Sequence, residues 1–269
     1  MSVRKYYRHQ TVDGIKVGRL NAGINTNFIV YRVGDTLIDT GPSNQWRYIK
    51  PFVEKAPVNQ VLLTHHHEDH SGNAARIAKL CNLTPKAPEL AYEKLAKGYK
   101  TPVVQKVVWG SPIPVETQSL KDVETFSDGT LVVPVHTPGH AKDLTCFHIP
   151  ERGWLFSGDL YIAKSLKYLR SDEDLPQLMS SIQKVLRLDF ETVFCPHAGI
   201  IEDGKEALKS KLQNLITMCQ KAQALEKEGR SIEEITQQVL GEEDMMSKIS
   251  RYNISKGNLI EGALKVQFK

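Results

Sequence analysis

The 269-residue sequence has no apolar run long enough to cross a bilayer. Its first twenty residues, MSVRKYYRHQTVDGIKVGRL, mix charge and polarity throughout and lack the run of roughly seven to fifteen apolar residues that a signal peptide needs. Neither membrane insertion nor export is therefore expected. Cysteine is scarce, and Cys81, Cys146, Cys195 and Cys219 stand far apart with no C-x-x-C pair. That spacing excludes a dithiol redox motif and a zinc knuckle, and the expectation is reduced thiols in a cytoplasmic protein. A dominant charge sign is missing too: 35 basic against 31 acidic residues leave +4, compatible with an anionic substrate but far short of a nucleic-acid signature. No basic patch interleaved with aromatics tracks a single strand, and no repeat or low-complexity segment is found.

What the chain does have is a 41% hydrophobic composition, enough for one large domain or a compact domain with an appendage. Residues 27–39, NFIVYRVGDTLID, are two β-branched and aromatic runs around Gly34-Asp35 and predict a hairpin. A short strand at 61–64 runs into HHHEDHSGN, and helical spacing resumes at 74–80, which places the histidines in a strand-to-helix loop. Residues 81–114 combine a helical stretch near 90–99 with a proline-broken segment and carry no legible chemistry. Strands are predicted at 130–135, 144–149, 153–156 and 192–195, with a helix over 175–188. The clusters TPGH, SGD and CPHAG follow or end these strands. Two successive halves of strands and helices suggest a layered α/β sandwich with helices outside and two sheets inside.

After Gly204 the composition becomes rich in Lys, Glu and Gln. Leu208, Leu212, Leu215, Ile216, Cys219, Ala222 and Leu225 recur at three- and four-residue steps, as on a helix with one buried stripe. Ser231 followed by Glu234 has the spacing of a capping box and predicts a second helix. The expected division is a catalytic domain over 1–203 and a helical C-terminal extension over 204–269.

The chemistry concentrates in His65-His66-His67-Glu68-Asp69-His70, an H-x-H-x-D-H pattern that offers four ligands within six residues. Neutral imidazole and carboxylate suit first-row divalent metals. From the chain's own His and Asp frequencies the pattern would arise by accident on the order of once in two thousand such sequences, so it is treated as a metal loop. Four ligands do not complete a site of two catalytic ions, each of which needs several ligands and an open position. His140 in TPGH, Asp159 in SGD and His197 in CPHAG are the candidates for the remainder, each beside Gly or Pro that allows a sharp turn.

In these residues the chain resembles the metallo-β-lactamase superfamily, whose signatures occur in order as Asp39, His65 to His70, His140, Asp159 and His197. The resemblance covers roughly residues 27–199 and implies a four-layered αββα sandwich with the site at one edge between the sheets. It also implies that His65, His67 and His140 hold one metal, that Asp69, His70 and His197 hold a second, and that Asp159 bridges both. Asp39 would orient ligands without binding metal. Zinc is the expected metal, with iron and manganese also suited to these ligands.

Two divalent ions about 3.5 to 4 Å apart acidify a shared water and polarise an electrophile, so the expected activity is hydrolysis by a metal-bridging hydroxide, with Asp69 passing the proton to the leaving group. Ester, thioester or lactone substrates are favoured, because the helical tail looks more like the glyoxalase II and small-hydrolase branch than like secreted lactamases. An endoribonuclease or phosphodiesterase is the main rival, since the same hydroxide can attack phosphorus; RNA is not the favoured partner. Oxygen reduction is disfavoured because its branch carries Glu where this chain has His67, whereas a mono-iron persulfide dioxygenase stays open. The expected partner is a small-molecule substrate, with no membrane partner.

Among the other candidates, His66 is expected to point away from the metals, and His9, His136 and His148 to be surface or satisfied strand histidines. Tyr161 is read as strand-end packing in preference to an oxyanion contact. Lys205, Lys209, Lys211 and Lys221 are read as a solvated helix face in preference to an anion pocket.

Overall fold

A computed structural model of the chain describes residues 3–20 and 26–268. Contacts within the chain divide it into two compact units that do not follow a single cut of the sequence. The first comprises Met1–His136, Asp143–Ile162 and Asp189–Gly204; the second comprises Thr137–Lys142, Ala163–Leu188 and Lys205–Lys269. The expected division near residue 203 thus coincides with one boundary only, because two earlier segments also group with the C-terminal helices.

The first unit contains two sheets. One has seven strands in sequence order: β1 (Val3–His9), β2 (Val12–Gly18), β3 (Phe28–Val33), β4 (Thr36–Ile38), β5 (Gln60–Leu62), β6 (Lys86–Ala87) and β7 (Gln118–Ser119). The β1–β4 ladder is antiparallel, and the predicted hairpin is its β3–β4 turn, where Gly34 takes φ +58°. From β4 to β7 the pairing is parallel, which requires crossovers. Helix α1 (Trp46–Glu54) makes the first, and α2 (Glu68–Ser71) with α3 (Ala74–Cys81) the second. Helices α4 (Tyr92–Lys97) and α5 (Val103–Trp109) lie between β6 and β7.

The other sheet contains β8 (Glu124–Thr125), β9 (Leu131–His136), β10 (Thr145–Ile149), β11 (Trp154–Phe156), β13 (Thr192–Cys195) and β14 (Gly199–Ile201), in the order β14-β13-β11-β10-β9-β8. The pairs are antiparallel except β11–β13. The four strands expected in the second half are β9, β10, β11 and β13.

Alternation along β3 explains how the layers join. Ile29, Tyr31 and Val33 point to one side and meet Phe147, Trp154, Phe156 and Phe194 of the second sheet in one buried cluster. Phe28 and Val30 point the other way, into a cluster with Ile49, Phe52 and Val53 of α1 and Ala74 and Ile77 of α3. Both faces of the first sheet are therefore covered, which suits its parallel half.

The second unit holds β12 (Leu169–Arg170) paired antiparallel with β15 (Ile254–Ser255), together with α6 (Leu175–Val185), α7 (from Lys205 within Gly204–Lys227), α8 (Ile232–Leu240), α9 (Met245–Ile249) and α10 (Lys256–Leu264). The Ser231–Glu234 capping box forms with both of its hydrogen bonds. Along α7, Leu208, Leu215, Cys219 and Ala222 are buried as the periodicity predicts. Lys211 corrects the expected solvated face, being 1% exposed: it follows Leu208 by three residues and precedes Leu215 by four, in phase with the apolar stripe. All four cysteines are free, and no described helix is long and apolar enough to cross a membrane.

Candidate metal centre

The ligand loop begins where β5 ends. Leu62 pairs in register with Ile38, and the chain then leaves the sheet through Leu63 and Thr64 into His65, His66 and His67 before α2 starts at Glu68. Because β4 lies beside β5, Asp39 emerges next to Thr64. Its Oδ1 accepts the Thr64 backbone N–H at 2.8 Å, and its Oδ2 accepts the His70 ring Nδ1–H at 2.7 Å. Asp39 adopts φ +59°, a left-handed conformation that asparagine and aspartate tolerate better than most residues. With Nδ1 of His70 committed to Asp39, its Nε2 faces inward. The His70 carbonyl is held by the backbone N–H and hydroxyl of Thr40, at 2.7 and 2.8 Å.

Asp159 arrives in the short 3-10 turn Gly158–Leu160 just after β11. That turn presses against the ligand loop at Gly158, whose φ is +45° and where an added Cβ would stand 3.1 Å from Thr64 Cβ and 2.9 Å from Leu144 Cδ1. His197 follows β13; its Nδ1–H donates to the Asn27 carbonyl at 2.8 Å, which again leaves Nε2 for the site. Phe28 sets its ring edge-on to both His70 and His197, with centroids 4.7 and 5.6 Å apart.

The distances bring six of the seven expected ligands together within the first unit. His65 Nε2 and His67 Nδ1 stand 2.9 Å apart, and His70 Nε2 is 3.2 Å from Asp159 Oδ1. His197 Nε2 is 3.3 Å from Asp159 Oδ1 and 3.4 Å from Asp69 Oδ2. Two of the resulting groups, His65 with His70 and Asp159, and Asp69 with His70 and His197, each put their ligand atoms within 4.8 Å of one another. The seventh, His140, lies in the Thr137–Lys142 turn of the second unit, where its Nδ1 faces Glu173 Oε1 at 2.5 Å.

Electrostatics show what this cluster attracts. Burial opposes charge on His70, but Asp39, Asp159 and Asp69 outweigh it and hold the imidazole well above its ordinary value. For His197 burial likewise opposes charge, and Asp159 and Asp69 raise it well above the usual range. Asp69 is held low despite its burial, by His70 and His197. Buried carboxylates that pull protons onto neighbouring imidazoles are a site that calls for cations. A metal fits on a further observation: His70 Nε2 is buried and makes no hydrogen bond among the described residues. The donor set, imidazole nitrogen and carboxylate oxygen, suits zinc, iron or manganese.

The remaining candidates fall as follows. His66 turns its ring away from the cluster to Asp143, 2.8 Å from Nδ1 to Oδ1. His148 is buried with Nε2 on the Asp189 carbonyl at 2.7 Å, His136 is exposed at the end of β9, and His9 approaches Glu202 at 4.0 Å. Tyr161 is buried, and its carbonyl accepts the Cys195 thiol. Lys205 donates to the Leu188 carbonyl and Lys221 to that of Gln238, while Lys209 pairs with Glu206 on the surface.

Residues 81–114 supply contacts to the site that the sequence did not disclose. Lys94 Nζ lies 2.9 Å from His66 Nε2, Tyr99 donates its hydroxyl to the His66 carbonyl at 3.0 Å, and the Trp109 ring lies 6.0 Å from that of His197. Asp143 and Thr64 were also missed. The cue for Thr64 was its place immediately before the first histidine; a lone Asp143 three residues after His140 offered none.

A two-sheet α/β fold with a histidine-aspartate cluster where strands β4, β5, β11 and β13 end defines a class of metal-site proteins, and comparison with known proteins specifies it. The family model of the metallo-beta-lactamase superfamily matches residues 22–197, and the chain belongs to that superfamily. Beta-lactamase-like protein 2 homolog of Drosophila melanogaster is 31% identical, over 67% of this chain and 60% of its own. An atrochrysone carboxyl ACP thioesterase of Aspergillus fumigatus is 27% identical, over 71% of this chain and 55% of its own. The chain thus spans about three-fifths of the length of these curated relatives. Among solved structures, a beta-lactamase domain protein from Burkholderia ambifaria shares the fold with a TM-score of 0.75 at 14% identity, covering 97% of this chain and 87% of its own. A metallo-beta-lactamase family protein from Thermus thermophilus matches with a TM-score of 0.62 at 17% identity, over 98% and 91%. The αββα sandwich with C-terminal helices expected from the sequence is the fold of this chain.

Proposed function

We propose that the chain is a binuclear metal-dependent hydrolase acting on ester, thioester or lactone substrates, with zinc as its metal. The observation that carries this reading is the convergence of His65, His67, Asp69, His70, Asp159 and His197 on one buried cluster whose carboxylates draw positive charge. His65 and His67 would hold one ion, with His140 added by the superfamily pattern. Asp69, His70 and His197 would hold the second, and Asp159 would touch both. When bound, such a pair acidifies water and polarises an electrophile.

The chain's own residues act around that chemistry. Asp39 and the Asn27 carbonyl accept the Nδ1 protons of His70 and His197, so Nε2 is the nitrogen each ring turns to the site. Phe28 and Trp109 set apolar rings against the histidines and keep water off that side. Asp69, turned toward His197, would take the proton of the attacking water at its carboxylate and deliver it to the leaving group. Thioester chemistry is preferred because a relative carries a thioesterase name.

The test is hydrolysis of a thioester, a lactone and a phosphodiester by the same sample before and after chelation, alongside Asp69→Asn. The reading expects thioester or lactone turnover that chelation abolishes. It also expects Asp69→Asn to lose at least about a hundredfold in rate, the usual scale of a proton-transfer group; the variant's metal content, measured beside the rate, separates loss of proton transfer from loss of a ligand. Turnover of the phosphodiester alone would replace it with the nuclease reading, and turnover that survives chelation would contradict it.

A further inference from the structure

His66 stands between two proposed ligands and is itself bound at every polar atom. Its backbone N–H donates to Asp143 Oδ2 at 2.7 Å, and its ring Nδ1–H donates to Oδ1 of the same carboxylate at 2.8 Å. Its Nε2 faces Lys94 Nζ at 2.9 Å, and an ammonium has only protons to offer, so Nε2 accepts and Nδ1 carries the ring proton. Its carbonyl takes the hydroxyls of Ser71 and Tyr99, at 2.7 and 3.0 Å. His66 is 6% exposed and Asp143 2%, so these bonds are made out of water, where an unmade one is costly.

This grip bears on the neighbours. His66 sits at a bend between β5 and α2, so anchoring it through both main chain and ring fixes the path of the backbone on either side. With His66 held by main chain and ring to one carboxylate, the rings of His65 and His67 lie together, their nitrogens 2.9 Å apart. An ion that needs both would find them already placed, which removes the ordering cost from binding.

We propose that Asp143 is a positioning residue for the metal centre, acting through His66 to hold His65 and His67 in register for one ion, with Lys94 fixing the His66 tautomer. The inference rests on the reading of His65 and His67 as ligands. It concerns residues lying outside the proposed ligand set.

The test is a competition titration of the chelator-treated full chain with Zn2+, together with nitrogen NMR of the histidine rings and thermal melting of the metal-free protein. Wild type should show His66 protonated at Nδ1. Asp143→Asn presents an amide N–H2 that one of the two bonds cannot use. The variant should fold, alter the His66 ring signals and bind Zn2+ about ten- to a hundredfold more weakly, the usual cost of removing a group that orients ligands. A folded Asp143→Asn with wild-type Zn2+ affinity overturns the proposal and leaves the metal reading standing. Should that variant not fold, His66→Gln, which keeps the backbone bond to Asp143 and loses the ring, should bind Zn2+ about tenfold more weakly, and unchanged affinity there overturns the proposal equally. Wild-type protein that binds no Zn2+ overturns the ligand reading and this inference with it.

Discussion

Asp39 holds a backbone conformation that costs on the order of 1 to 3 kcal/mol for a residue other than glycine, and it is tolerated because the side chain is tied at both oxygens, to Thr64 and to His70. Asparagine accepts the same backbone and loses the charge. Asp39→Asn is therefore expected to fold and to bind Zn2+ about ten- to a hundredfold more weakly in a competition titration; unchanged affinity would mean that His70 needs no such partner. Gly158→Ala, which forces a Cβ against Thr64 at a positive φ, should lower stability by about 1 to 3 kcal/mol in urea denaturation. The clustered histidines and aspartates were legible in the sequence because they are chemically distinctive and come in short spaced motifs. Their supports were not. Thr64, Lys94 and Asp143 act through hydrogen bonds that leave no spacing signal, and Asn27 acts through a backbone carbonyl that every residue possesses.

Among the elements, those with clean periodicity were readable: the β3–β4 hairpin, the strands of the second sheet, and α7 and α8 with their stripe and capping box. The β1–β2 hairpin was not, because VRKYYRH on an edge strand is charged and largely exposed and resembles a loop. Helix α5 was hidden by its composition, VVQKVVW, rich in β-branched valine and bounded by Pro102 and Gly110. Arg32 shows a support of another kind. Its buried guanidinium donates to the carbonyls of Phe52 and Val53 at 3.2 Å and of Ala56 at 2.7 Å, closing the C-terminal end of α1. Arg32→Met leaves those carbonyls unmet, and a loss of about 3 kcal/mol in urea denaturation is expected. In the second unit the Tyr168 hydroxyl donates to Asp244, which pushes the phenol up to about 12. The folded state thus holds this proton more tightly than the unfolded chain. The contribution is complete below about pH 10 and fades as pH rises toward the folded value. Because the pair is largely solvated it should amount to no more than about 1 kcal/mol, and Tyr168→Phe should flatten that part of the stability profile.

At the scale of the whole molecule, segments far apart in sequence form one cluster. Asp39, the 65–70 loop, Asp159 and His197 belong to one compact unit, yet between Ile162 and Asp189 the chain leaves that unit and returns. A division of the sequence at one point could not have anticipated that, since contacts decide it. Three carboxylates, Asp39, Asp69 and Asp159, are buried in the same site, and they raise the proton affinity of His70 and His197 beside them. Metal is accordingly expected to stabilise the fold: free Zn2+ at about a hundred times its dissociation constant should add about 2.7 kcal/mol relative to chelated protein. Thermal melts with and without chelator measure this, and identical melts would contradict it.

Elemental analysis of protein purified without chelator, run beside His67→Ala, asks whether this cluster holds a pair of catalytic divalent ions. The account predicts about two zinc ions per chain in the wild type, with metal and hydrolytic activity lost together in the variant. A single iron with oxygen-dependent turnover, or no metal at all, would contradict it.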